Sequence, residues 1–130
     1  MSFSTEKLLP LCLLMFLSMH NVLVIADRHV TIVNYLDGNL DLTIHCKSRD
    51  NDLGVHVLHR GDSFSWAFKD NIINTTLFYC SFQWSGETHW FDIYKSKRDS
   101  DTCPSGYTCK WLIQKTGPCV NSIFCYHWNN

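Results

Sequence analysis

The sequence predicts an all-β fold, an antiparallel β-sandwich of about seven to eight short strands stapled by disulfides. Three observations carry that prediction. Apolar residues alternate with period two along most of the chain beyond residue 27, and no long segment has a helical period. The runs recur at intervals of about 8 to 14 residues, between Gly, Asn, Asp and Pro punctuation. Six cysteines, an even number, remain once an apolar leader is set aside.

The leader is residues 1–26. Lys7 precedes an uncharged apolar run from Leu8 to Leu17, and small or branched residues, Val24 and Ala26, stand before an expected cut after Ala26. That is the pattern of a cleaved secretory signal peptide; Pro10, Ser18, His20 and Asn21 argue against a membrane anchor. Cleavage takes away Glu6, Lys7 and Cys12 and leaves one domain of 104 residues, 27–130, with 10 basic and 11 acidic side chains. The mature chain is expected to be extracellular, monomeric and not inserted in a membrane.

The strands follow in order. Val30 and Ile32 share a face in the first run, and Leu40, Leu42, Ile44 and Cys46 in the second, with Asp37-Gly38-Asn39 between them reading as a hairpin turn. Val55 and Val57 make a third run, stopped at Gly61. Phe64, Trp66 and Phe68 alternate in a fourth. In the fifth, Phe78, Cys80, Phe82 and Trp84 oppose Leu77 and Tyr79. Ser85-Gly86-Glu87 turns the chain into a sixth run, where His89, Phe91 and Ile93 oppose Trp90, Asp92 and Tyr94. Cys109, Trp111 and Ile113 share a face in the seventh, which Gly117-Pro118 is expected to end. Phe64, Trp66, Phe68, Phe78, Phe82, Phe91 and Trp111 are assigned to the core, whereas Trp90 is out of phase and either packs on the other face of its sheet or lies exposed to a partner or a sugar.

Composition narrows the function. Eleven Lys+Arg against twelve Asp+Glu give a formal net charge of -1, without the cationic excess that binding nucleic acid requires. Aromatics at 14% and charged residues at only 18% exclude a disordered chain. No cofactor is expected, and no enzyme: the six His beyond the leader belong to no G-x-S-x-G, H-E-x-x-H, P-loop or G-x-G-x-x-G pattern.

Cys46, Cys80, Cys103, Cys109, Cys119 and Cys125 are expected to form three disulfides, with 15 pairings open. No pair has the C-x-x-C spacing that would favour zinc. Asp50-Asn51-Asp52 lacks the closing Glu of a calcium loop and reads as an Asx turn ahead of Gly54. Asn74-Thr75-Thr76 is the single N-glycosylation sequon. The segment Lys95 to Asp101 carries three cations and two anions in seven residues with no apolar side chain, so it is expected to be a solvated loop. Lys95, Lys97, Arg98, Asp99 and Asp101 are therefore candidate receptor contacts, with Asp50 and Asp52 as a second group, and reversing Lys97 and Arg98 should leave the melting temperature unchanged.

Several motifs in order then resemble the plant self-incompatibility protein family, the S-protein homologues: His45-Cys46-Lys47-Ser48-Arg49-Asp50-Asn51-Asp52-Leu53-Gly54, Trp66-Ala67-Phe68, Thr75 to Trp84, Phe91-Asp92-Ile93-Tyr94 with Arg98-Asp99, Cys109-Lys110-Trp111, and Gly117-Pro118-Cys119. The resemblance spans about His29 to Trp128, with Asn51 standing where the family usually has Asp and Pro104 to Thr108 lengthening the interval between two cysteines. It implies a small secreted β-sandwich that acts as a non-catalytic extracellular ligand for a cell-surface receptor. The alternative it leaves open is a secreted defence protein, binding carbohydrate or inhibiting a foreign enzyme.

Overall fold

Strand-forming residues on two inward faces build two sheets in the computed structural model, which describes residues 27–71, 73–103, 108–121 and 124–129. The expected leader lies outside them. In chain order the elements are β1 (Arg28–Asn34), β2 (Leu42–Lys47), β3 (Asp52–Leu58), β4 (Ser63–Phe68), β5 (Leu77–Trp84), β6 (Glu87–Lys95), α1 (Ser96–Thr102), β7 (Thr108–Gln114), β8 (Gly117–Val120) and β9 (Phe124–Cys125). One sheet has the order β4-β1-β7-β8-β9 and the other β3-β2-β5-β6. The core lies between them. Val30 and Ile32 (β1), Leu42 and Ile44 (β2), Phe78 and Phe82 (β5), Phe91 and Ile93 (β6) and Trp111 and Ile113 (β7) all point into it and are buried. Each such side chain contributes about 1.5 to 3 kcal/mol on leaving water.

The all-β sandwich holds, with corrections. It is not wholly antiparallel, because β1 pairs with β7 in parallel, Ile32 opposite Trp111. Asp37-Gly38-Asn39 is a turn, with Gly38 and Asn39 both left-handed, but it does not close a hairpin. The inward faces of β1 and β2 oppose one another across the core, so the chain between them must arch from sheet to sheet. Buried Asn34 holds the arch: its Nδ2 donates to the carbonyls of Leu40 at 2.7 Å and Leu58 at 2.9 Å, and its Oδ1 accepts from the Leu36 N–H at 3.0 Å.

The seventh strand, β7, ends at Gln114 ahead of Gly117-Pro118, which in turn opens β8. A Cβ at Gly117 would lie 1.8 Å from the Tyr126 carbonyl oxygen, so only glycine lets the C-terminal segment pass this close. That segment crosses to the second sheet. The Asn129 N–H donates to the Trp90 carbonyl at 3.0 Å, and Trp128 packs against Phe82 and stacks on His89. It thereby covers part of the β6 edge.

Two phases differ from expectation. Val55 and Val57 are 61% and 57% exposed, because β3 is an edge strand whose inward position goes to His56, stacked on Phe64 at 3.9 Å. Tyr94 is fully buried instead of sharing the outer face with Trp90, since a bulge at Phe78/Tyr79 shifts the β5/β6 register by one residue. Phe64, Trp66 and Phe68 on edge strand β4 are half-buried against the core, while the other four assigned aromatics are inside. The cysteines pair Cys46–Cys80, Cys103–Cys109 and Cys119–Cys125. Two of these bridges join residues directly opposite each other on adjacent strands.

Candidate functional site

The β1–β2 arch and the β3–β4, β5–β6 and β7–β8 turns close one end of the sandwich, and the remaining connections collect at the other. The β2–β3 turn, the β4–β5 connection and α1 all lie at this second end, because Lys47 is opposite Tyr79, Tyr79 opposite Asp92, and Leu77 opposite Lys95. Both groups of sequence-predicted contacts therefore share one end. They do not share one environment.

The β2–β3 turn is exposed, as expected of an Asx-type turn. The Ser48 N–H donates to the Asn51 carbonyl at 2.8 Å, and Asp52 Oδ1 accepts from the Gly54 N–H at 2.9 Å and meets His45 Nε2 at 2.7 Å. The Gly54 bond and then His45 hold the Asp52 carboxyl below the usual carboxylate range. Asp50 remains exposed, and Arg49 beside it reaches no carboxylate among the described residues.

The segment after β6 is not a solvated loop, which corrects the expectation for Lys95 to Asp101. Ser96–Thr102 forms helix α1, and Ser96 and Asp99 are both 1% exposed. The local cause is a cap. Asp99 Oδ2 reaches back to accept the Lys95 N–H at 2.7 Å, satisfying a donor that the first helical turn would otherwise leave orphaned. Asp99 also accepts twice from Arg98, Nε at 2.8 Å and Nη2 at 2.7 Å, and Arg98 Nη2 donates to the Asp92 carbonyl at 2.5 Å.

The Arg98 guanidinium lies 4.8, 5.4 and 5.2 Å from the ring centres of Phe91, Trp111 and Tyr126. Arg98 is therefore a half-buried structural cation, not a free loop charge, and reversing it cannot leave stability unchanged. Lys95 and Lys97 remain exposed and form no ion pair among the described residues. Asp101 is in α1, but its side chain lies outside the described part.

Sequence reasoning missed a buried polar knot beneath this end. Asp70 accepts from the Tyr94 hydroxyl at 2.7 Å and from Ser96 Oγ at 2.6 Å, with Arg28 Nη2 3.9 Å away. Burial alone would raise the Asp70 pKa, but the hydrogen bonds from Ser96, Tyr94 and Thr76 and the Arg28 charge outweigh it, and the net shift is downward. Burial and then the Asp70 bond push the Tyr94 hydroxyl well upward. Lys69-Asp70 directly after an aromatic strand was the available signal.

Two clefts open at this end. One, of about 640 Å³, runs between the β2–β3 turn and the β4–β5 connection and is lined by Arg49, Asp50, Lys69, Asn71 and Phe68 among others. The second, of about 510 Å³, lies between the end of β6 and the C-terminal segment and includes Asp92, Lys95, Lys97, Tyr126 and Asn129. Asn74 is exposed on the β4–β5 connection with left-handed backbone, and the hydroxyl of its sequon partner Thr76 accepts the Asn71 N–H at 2.9 Å. No helix among the described residues is long and apolar enough to cross a membrane.

The family model for plant self-incompatibility protein S1 matches residues 29–128. S-protein homolog 29 of Arabidopsis thaliana is 39% identical over 118 residues, covering 86% of this chain and 85% of that one. S-protein homolog 2 of the same plant is 41% identical over 121 residues, with 86% and 74% covered. A solved SPH (self-incompatibility protein homologue) structure, from a group described as widespread, small, highly stable, secreted plant proteins, superposes with a TM-score of 0.58 at 17% identity. The match covers 81% of this chain and 96% of that one.

Proposed function

The chain belongs to the plant self-incompatibility protein S1 family, and from that premise we propose that it is a secreted, non-catalytic ligand read by a cell-surface receptor. The observation that carries the reading is the convergence of the β2–β3 turn with Lys95 and Lys97 at one end of a sandwich whose core is close-packed and bridged by three disulfides. Such a frame holds a set of loops in fixed relation while their side chains vary. Asp50, Asp52, Lys95 and Lys97 are the contacts on this reading. Arg98 and Asp99 act as positioning residues, because the Asp99 cap and the Arg98 stack fix the direction in which Lys95 and Lys97 leave the surface. Glycosylation of Asn74 would put a polar chain beside the same end.

The test is saturable binding of labelled, secreted protein to intact plant cells. Charge reversal of Lys95 together with Lys97 should lower it while the melting temperature stays at the parent value; binding unchanged by that variant would move the footprint elsewhere. The defence alternative is favoured by Trp90, 52% exposed on the outer face of β6 and positioned to stack on a sugar. Retention on a neutral glycan array that Trp90→Ala abolishes would select it.

A further inference from the structure

The two clefts share a composition that points to the chemistry of the partner. Each holds two exposed cations and one carboxylate: Arg49 and Lys69 with Asp50, and Lys95 and Lys97 with Asp92. Arg98 also lines the second, but its charge is already met by Asp99. None of the four cations has an ion-pair partner among the described residues, whereas Arg28, Lys47 and Arg98 do. Leu77 separates the clefts: it lines the first, is 38% exposed, and pairs across the sheet with Lys95 of the second. Ile73, 73% exposed, is on the adjoining connection. The surface thus reads cation pair, aliphatic ridge, cation pair.

On the receptor reading, we infer that this end seats an acidic peptide segment of the partner, with two carboxylates in the clefts and an apolar side chain over Leu77. The first cleft borders Leu77 at the start of β5, and the second borders Lys95, its cross-strand partner at the end of β6. A polyproline-II segment laid across the ends of these two strands repeats its side-chain direction every three residues, so carboxylates at that spacing meet the surface from one face. The aliphatic ridge of Leu77 and Ile73 between the cation pairs favours a peptide carrying an apolar side chain, which an acidic glycan lacks.

The experiment titrates the protein with a peptide of three Glu-Pro-Leu repeats, its Gln-Pro-Leu counterpart, and a galacturonate oligomer, alongside the cell-binding assay. The expected result is that the Glu peptide binds, its affinity falls with salt, and the Gln peptide does not bind. Lys95→Gln with Lys97→Gln, and Arg49→Gln with Lys69→Gln, should each weaken the Glu peptide about fivefold to thirtyfold, as two exposed ion pairs allow. Asp50→Asn and Asp92→Asn should strengthen it, and all four variants should keep the parent melting temperature.

Equal binding of the Glu and Gln peptides, or tighter binding of galacturonate than of the Glu peptide, overturns the inference. If cells bind the protein but the Glu peptide does not, the acidic segment falls and the receptor reading stands. If the peptide binds and cells do not, the receptor reading is what fails.

Discussion

Two charged runs sit at the same end of the molecule, and folding treats them oppositely. Arg49 to Asp52 stays in water: its hydrogen bonds are local, and Asp50 is exposed. Ser96 to Asp99 turns three of its four polar side chains inward, so that Ser96 meets Asp70, Asp99 caps α1, and Arg98 lies over three rings. The difference comes from what lies beneath. The turn joins two strands of one sheet and needs nothing from the core, whereas α1 carries the chain from one sheet to the other and must cover the end of the aromatic interior on the way. Charge density in a sequence therefore does not decide exposure. A cation beside aromatic strands finds ring faces, and a carboxylate three or four residues into a helix finds orphan N–H groups.

The largest test of that contrast removes Asp99. Its loss strips the cap and leaves Arg98 half-buried without its carboxylate, so Asp99→Ala should cost about 3 kcal/mol or more, the range for breaking a buried pair. Asp50→Ala, in the other run, should change stability by less than about 0.5 kcal/mol, as exposed substitutions usually do. Denaturant melts of the two variants decide it; equal midpoints would erase the distinction between the runs.

A smaller effect should follow from Asp70, which couples α1 to the β4–β5 connection. Asp70→Asn keeps the shape but leaves the charge-assisted bonds weakened, and should cost about 1 to 3 kcal/mol. The sign with pH is fixed by the lowered folded pKa. The stabilisation is fully present above the ordinary Asp value near 3.9 and disappears as pH falls through the folded pKa. Melts between about pH 5 and 2 should show the parent losing stability over this window more steeply than Asp70→Asn does. Parallel curves would mean that the knot contributes nothing as a charged group.

Much of the fold was legible because side-chain alternation is local. Val30 and Ile32, Phe78 to Trp84, and Cys109 to Ile113 lie on the faces that their spacing implied. Sheet membership was not legible. Nothing within Val30 to Ile44 says that Asn34 will pin an arch, or that β1 will take β7 as a parallel neighbour more than 70 residues away. Tyr94 was misplaced for a related reason: one bulged residue inverts every phase beyond it. At the candidate site the residue types were visible and their depth was not. Arg98 and Asp99 look like Lys95 and Lys97 until Phe91, Trp111 and Tyr126, from three separate segments, are brought beneath them.

The smallest effect belongs to Asp52, at the solvated end of the contrast. Its carboxyl accepts the Gly54 N–H and meets His45, with Lys47 4.0 Å away, and each favours the charged form. Carboxyl NMR should therefore place its titration midpoint below the ordinary Asp value. Its contribution to stability is present above that value and lost as pH falls through the folded midpoint. The Gly54 bond is a fixed backbone contact, while the His45 and Lys47 charges are open to solvent, so the two causes separate under salt. High ionic strength, or His45→Ala, should move the midpoint part of the way upward, and the backbone share should remain. A midpoint that returned fully to the ordinary value in salt would show that the turn lacks a fixed Gly54 bond. The β2–β3 turn would then be a looser platform than α1, and Lys95 and Lys97 the better-fixed half of the surface.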